Sequence, residues 1–250
     1  MITASHNPPQ YNGFKVYWAD GAQVLPPHDR GIIEAFNLIQ DPSQVKIAET
    51  LSDRHIEWID TEIDVAYFDA VAPLALYPKE DLAHGDELNV VYSSLHGTGI
   101  TLVPELLRRW GFSTLHLVDA QSAVDGSFST VKSPNPEDPA AMAMGVKILE
   151  EKEADIFVAT DPDADRVGIA VRHHGKVELL NGNQIACLCL EGICQALKKQ
   201  GRLPEGATFV KSVVTTELFK AIATAYGKAC YETLPGFKYI GALIRRWESD

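Results

Sequence analysis

The most constraining stretch of the chain is ADIFVATDPDADR, residues 154–166, where an apolar run passes without a spacer into alternating aspartates. Such a run, bounded by turn-forming residues, predicts a buried strand. The carboxylates of Asp161, Asp163 and Asp165 therefore emerge at the carboxyl end of a sheet, where open α/β sheets bind ligands. Side chains at i, i+2 and i+4 of an extended chain share one side, with neighbours about 6 to 7 Å apart. A hard cation needs its oxygens at roughly 2 to 2.5 Å, so the loop has to curl inward. Pro162 supplies a fixed turn and Ala164 a small spacer. Without a cation the three carboxylates repel one another, and one tends to protonate. An EF-hand is excluded, because Arg166 stands where that loop needs Gly and Arg172 where it needs a bidentate Glu. Mg²⁺ fits better, since it keeps positions open for a phosphate oxygen and Arg166 offers a fork to that same phosphate. A solvated acidic turn would use the same residue types.

The surrounding pattern is α/β throughout. Residues 89–119 read as a strand (NVVYS), a glycine loop (LHGTG), a helix closed by Gly111 and a second strand (TLHLV), one βαβ unit with Pro104 in the helix's first turn. A Pro-rich loop (SPNPEDP) leads to a helix over 140–151, then the apolar strand and its acidic loop. VGIAV, a turn at His174 and Gly175, and KVELL read as a hairpin. Asn183 is the expected cap of a helix that runs to Lys199 and stops at Gly201, and LPEG follows as a linker. TFVKSVVT, residues 217–226 and KACYETL then give strand, helix and strand, the last entering GFKYIG. At the front, FKVYW, the Asp20-Gly21 turn and AQVL suggest a hairpin, followed by helices over 30–38 and 62–71. Three pieces result: 1–86, the closing part of one domain; 87–204, a complete domain; and 205–250, the start of a third. The expected fold is α/β, with repeated domains and mixed sheets, cut short at both ends.

A chain of 250 residues with 46% hydrophobic content can bury such cores. Its net charge of −12 argues against a nucleic-acid surface, which needs clustered Lys and Arg, and leaves small molecules or cations as partners. Cys187, Cys189, Cys194 and Cys230 form neither a disulfide framework nor paired CxxC zinc ligands, so a reducing, cytoplasmic setting is expected. Cys187 and Cys194 lie seven apart on one helix face and read as buried thiols. No apolar run approaches the length of a membrane span, and no signal sequence opens the chain. Nothing in the sequence specifies an oligomeric state.

Ser5 lies in TASHNPPQYNGFK, which carries a hydroxyl, the His6 imidazole and, ten positions on, Lys15. A serine hydroxyl needs a base or cation to act as a nucleophile, whereas a phosphoserine needs its charge of about −1.5 to −2 neutralised. His6 also fits a plain loop histidine and Lys15 a solvated strand residue. His173 and His174 sit at a hairpin turn and are expected to meet water, while the glycines beside His96 suit either a phosphate or a tight turn.

TASHNP followed by NG-x-K resembles the phosphoserine loop of the α-D-phosphohexomutases, and DPDADR resembles their metal loop, more often written DGDGDR. LHGTG, PNPE, GNQI and GFKYIG fall in the same order, so the resemblance covers nearly the whole chain and is nearest the branch of phosphoglucomutase and phosphopentomutase enzymes. It implies an enzyme of four α/β domains, an intramolecular phosphotransferase moving phosphate between the 1-position and the terminal position of a sugar through a bisphosphate. Ser5 would carry the phosphoryl group, and its phosphate oxygen would complete a Mg²⁺ shell formed by Asp161, Asp163 and Asp165. Lys15 matches the family's candidate acid or base, with His6 beside it; Arg166, Gly236 and Lys238 match substrate-binding positions, and a sugar bisphosphate is the implied activator.

Pro235 departs from the pattern, standing where the family usually places a Thr that contacts substrate. The sugar-recognition loop and the fourth-domain phosphate loop are absent, so the preferred sugar does not follow, and these 250 residues alone are expected to be inactive. An aspartyl-phosphate phosphohydrolase of the haloacid-dehalogenase type also places a DxD pair after a buried strand, with Asp161 as nucleophile and Asp163 as acid-base. A third reading is a fragment that only binds metal or sugar phosphate.

Overall fold

A computed structural model describes residues 1–50, 52 and 56–249; Asp250, the last residue of the third piece, lies outside the described residues. After α1 (His28–Asn37), α2 (Thr61–Val71) and α3 (Pro78–His84), the chain runs through β1 (Val90–Ser93), α4 (Val103–Arg109), β2 (Leu115–Leu117) and α5 (Pro139–Glu151). It continues as β3 (Ile156–Thr160), β4 (Val167–His173) and β5 (Lys176–Leu180). These strands form one mixed sheet in the order β2-β1-β3-β4-β5. β1 is parallel to both β2 and β3, whereas β3, β4 and β5 are antiparallel to one another in turn.

Strand β1 is buried along its whole length, which explains why VVYS reads as a nearly continuous apolar run rather than an alternating one. Val91, Leu95, Met142, Leu149 and Phe157 pack with smaller residues into a core between the sheet and α5. The helix approaches closely because Gly145 lies over Phe157: a Cβ at 145 would stand 2.0 Å from the ring. The β4–β5 turn has His174 at φ 49° and Gly175 at φ 74°, the two positive values a tight hairpin of this twist needs. Both His173 and His174 are exposed there.

Of all the strand pairings, the register that sets Ser93 opposite Ala159 does most to position the acidic loop. Parallel neighbours end on the same side, so the loop after β1 (LHGTG) and the loop after β3 (DPDADR) leave the sheet side by side.

Downstream, α6 (Gly182–Lys199) leads to β6 (Thr208–Ser212), α7 (Glu217–Ala225), β7 (Ala229–Thr233) and α8 (Phe237–Ser249). The strands β6 and β7 pair in parallel. Leu190 and Cys194 of α6 share a core with Ala223 of α7, flanked by Phe209 and Phe219. Cys187 and Cys194 are both buried, as their spacing predicts. The cap of α6 is Asn181 and not Asn183: the Asn181 side chain accepts the Gln184 N–H while Gln184 reaches back to the Asn181 N–H, a reciprocal pair unavailable two residues later. Asn183 instead accepts the Thr216 N–H at 2.9 Å, tying the starts of α6 and α7 together. The hairpin expected over residues 14–25 reduces to the isolated bridge Tyr17–Gln23, and Phe14 bridges instead to Ile2. No helix among the described residues is long and apolar enough to cross a membrane.

Candidate metal centre and serine loop

The DPDADR loop curls as its chemistry requires. Each of Asp161, Asp163 and Asp165 offers a carboxylate oxygen within 4.8 Å of the others, so the three could hold a metal ion. Ala164, where the resembling motif has Gly, adopts φ 56°, the left-handed turn that folds the chain back. Asp161 is fully buried; its Oδ1 accepts the Arg166 N–H at 3.0 Å and its Oδ2 accepts the Ser5 hydroxyl at 3.1 Å. Burial pushes its carboxyl up to about 6 against the Arg166 N–H, which favours the ionised form, with the Asp163 side chain and then the charge of Asp165 adding to the rise.

Asp163 is arranged differently. Its Oδ2 accepts both the Thr3 hydroxyl at 2.9 Å and Lys15 Nζ at 3.0 Å. Its Oδ1 is buried with no hydrogen-bond partner among the described residues, on a side chain only 8% exposed. Burial raises the Asp163 carboxyl, but the Lys15 and Thr3 donors outweigh it and hold the group below its ordinary value. An orphaned carboxylate oxygen in a low-dielectric setting is costly, and a divalent cation shared with Asp161 and Asp165 would satisfy it. The residues fit Mg²⁺.

Lys15 Nζ bridges Asp163 and Asp165, at 3.0 Å from each. Burial works against its charge, yet the hydrogen bonds to Asp165 and Asp163 raise its ammonium above the ordinary value. In this arrangement Lys15 is the counter-charge of the acidic loop and not a solvated strand residue. Ser5 has φ 54°, a left-handed conformation that turns its hydroxyl toward the loop. His6 Nδ1 lies 3.2 Å from Ser5 Oγ. The hydroxyl has one proton, and if Asp161 receives it, His6 Nδ1 is the N–H donor to the serine. Burial first, then the charge of Arg166, lowers the His6 imidazole.

The glycine loop after β1 braces this site. Gly97 lies so close to Pro162 that a Cβ would stand 2.2 Å from its Cα, and Thr98 donates both its N–H and its hydroxyl to the Pro162 carbonyl at 2.9 and 3.0 Å. His96, buried at φ 65°, is held by Thr130 Oγ1 at 2.8 Å and the Ala123 carbonyl at 3.1 Å. Of the loop's glycines, Gly97 therefore serves close backbone packing on the metal loop, while Gly99 leaves room for the Tyr92 and Thr160 hydroxyls. The Pro-rich loop adds a second hold, the Ser133 hydroxyl donating to the His6 carbonyl at 2.7 Å.

Beside these groups opens a cavity of about 830 Å³ lined by Lys15, Asp165, Arg166, Lys211 and Gly236 among others. Gly236 reaches it, whereas Lys238 does not line it and rests with Nζ 5.2 Å from the Tyr239 ring. Lys211 is buried, donating to Glu217 at 2.8 Å and to the Thr215 carbonyl at 3.0 Å. Sequence reasoning overlooked Thr3, Ser133 and Lys211. Thr3 carried a signal, a hydroxyl two residues before Ser5.

Three family models match the chain in series, described as phosphoglucomutase/phosphomannomutase alpha/beta/alpha domains I, II and III, over residues 1–42, 65–175 and 181–249. The chain is similar to a phosphoglucomutase of Staphylococcus aureus (strain N315), 39% identical over 250 residues, 98% of this chain and 43% of that protein. It thus spans less than half the length of the curated relatives it matches. Among solved structures, a putative phosphomannomutase from Thermus thermophilus matches with a TM-score of 0.70 at 25% identity, covering 95% of this chain and 48% of that one. A phosphoglucomutase/phosphomannomutase family protein from Burkholderia thailandensis shares the fold, with a TM-score of 0.70 at 20% identity over 98% of this chain and 46% of that one.

Proposed function

The chain belongs to the α-D-phosphohexomutase family, and from that premise we propose that it carries the phosphoryl-transfer centre of a phosphosugar mutase. The substrates are glucose 1-phosphate and glucose 6-phosphate, or the related mannose or pentose phosphates. Phosphorylated Ser5 gives its phosphoryl group to a sugar hydroxyl: the Oγ–P bond breaks as the new P–O bond forms, and the hydroxyl proton passes to a base. The bisphosphate reorients in the cavity beside Lys15 and Arg166 and returns its other phosphoryl group to Ser5 Oγ. A free sugar bisphosphate acts as activator because it can phosphorylate Ser5 in the same way.

Asp161, Asp163 and Asp165, with an oxygen of the Ser5 phosphate, would hold Mg²⁺, which when bound neutralises charge on the phosphoryl group. Arg166, at the cavity wall, supplies donors to the same group. Lys15 is the candidate base and acid; it can accept a proton only after leaving Asp163 and Asp165, since those carboxylates hold it protonated. His6 orients the serine oxygen. Gly236 and Lys238 are assigned to substrate binding, which requires Lys238 to swing off Tyr239. We keep the division at 1–86, 87–204 and 205–250 as the accompanying domain proposal.

One observation carries the reading: Ser5 Oγ lies 3.1 Å from Asp161 Oδ2 across 156 residues of sequence, so the serine loop and the acidic loop form a single site. Ser5→Ala in the competent enzyme is the test. Conversion of 1-phosphate to terminal phosphate should fall to background, and a retained rate would remove Ser5 from the mechanism.

A further inference from the structure

Thr3 touches both halves of the site. Its hydroxyl donates to Asp163 Oδ2 at 2.9 Å and accepts the Ser5 N–H at 2.9 Å. The directions are forced, because a backbone N–H can only donate and an ionised carboxylate can only accept, so the single hydroxyl proton goes to Asp163. Thr3 is itself a fixed point. Its own N–H donates to the Gly13 carbonyl at 3.0 Å, and the neighbouring Lys15 N–H reaches the Met1 carbonyl at 2.8 Å. Ser5 follows at φ 54°, a conformation unfavourable for a residue with a Cβ unless its surroundings hold it there.

We propose that Thr3 is a positioning residue that couples the serine loop to the metal loop, orienting Asp163 and fixing the Ser5 backbone through one hydroxyl. The inference rests on the reading of the three aspartates as a metal site. Oδ2 of Asp163 has two donors of opposite consequence. Lys15 also grips Asp165 and pulls the two carboxylates toward its own ammonium, whereas Thr3 is neutral and grips Asp163 alone among the acids. Without the hydroxyl, Lys15 is the one donor left to Asp163 among the described residues, Oδ1 loses its fixed direction, and the Ser5 N–H loses its acceptor. Partners that hold a ligating carboxylate commonly control metal affinity in this way.

The test compares the 250-residue wild-type chain with Thr3→Val, Thr3→Ala and Thr3→Ser by calorimetric Mg²⁺ titration, thermal melts and hydrogen exchange at the Ser5 amide. Valine and alanine should weaken Mg²⁺ binding about 10-fold to 100-fold and speed exchange at Ser5, while serine restores both. A shared packing role would instead follow side-chain volume, with valine near wild type and serine near alanine, and that order overturns the proposal. Equal Mg²⁺ affinity in all four chains also overturns it and leaves the metal site standing. Absence of Mg²⁺ binding by the wild-type chain would bring down the site reading, and this inference with it. Should valine fail to fold, the alanine and serine pair decides.

Discussion

Asp163 has one carboxylate oxygen with two donors and one with none among the described residues, an asymmetry that argues for a cation more strongly than the mere proximity of three acids. Asp163→Asn should weaken Mg²⁺ binding by more than about 100-fold, since losing a ligand costs more than losing a partner that orients one. The thermal melt should hardly move, because the loop lies outside the apolar core; calorimetric titration beside a circular-dichroism melt checks both halves. Lys15→Met should act oppositely on the metal. It removes the ammonium that now balances Asp163 and Asp165, so the metal-free chain should melt lower while Mg²⁺ binds more tightly. Weaker Mg²⁺ binding in that variant would mean that Lys15 builds the site and does not compete for it. The three aspartates were legible in the sequence because their spacing follows a recognisable strand. The Lys15 bridge was not, since nothing in NGFK shows what a lysine meets about 150 residues further along.

At the scale of elements, the site exists because β1 and β3 are parallel neighbours whose following loops leave the sheet together. Both strands were legible as apolar runs, but their adjacency is a property of the sheet, and so the bracing of Pro162 by Gly97 and Thr98 was not foreseen. Gly97→Ala tests it. The added methyl group cannot be accommodated without moving backbone, and overpacking of this kind costs about 1–3 kcal/mol. The variant should melt lower and also bind Mg²⁺ more weakly, whereas Gly145→Ala, which strikes the Phe157 ring within the core, should lower the melt with Mg²⁺ affinity nearly intact. Equal effects of the two on Mg²⁺ would detach the glycine loop from the site. The misplaced cap of α6 has a local cause: two asparagines lie two residues apart, and only Asn181 has Gln three positions on to complete the reciprocal pair. Leu190 and Cys194 of α6 pack against Ala223 of α7 across the LPEG break, a side-chain contact that a linker motif does not reveal.

For the whole molecule, the decisive contacts join residues at opposite ends of the first two-thirds of the chain: Ser5 to Asp161, Thr3 and Lys15 to Asp163, and Ser133 to His6. Family resemblance alone made that convergence legible, since neither loop's local pattern points to the other. The chain covers 43% of a phosphoglucomutase to which it is 39% identical, and binding energy from the non-reacting parts of a substrate normally supports the chemical step. The 250 residues alone should therefore show no sugar-phosphate conversion above background with Mg²⁺ and a trace of bisphosphate, beside an active chain of the relatives' full length. Comparable rates would place substrate recognition within these residues. The most direct test of the central claim, a phosphoserine carrier beside an aspartate-bound cation, is peptide mass spectrometry of the competent enzyme after exposure to sugar bisphosphate and Mg²⁺. The expected result is an acid-stable phosphate on Ser5, lost in Ser5→Ala; an acid-labile, hydroxylamine-sensitive phosphate on Asp161 would contradict it.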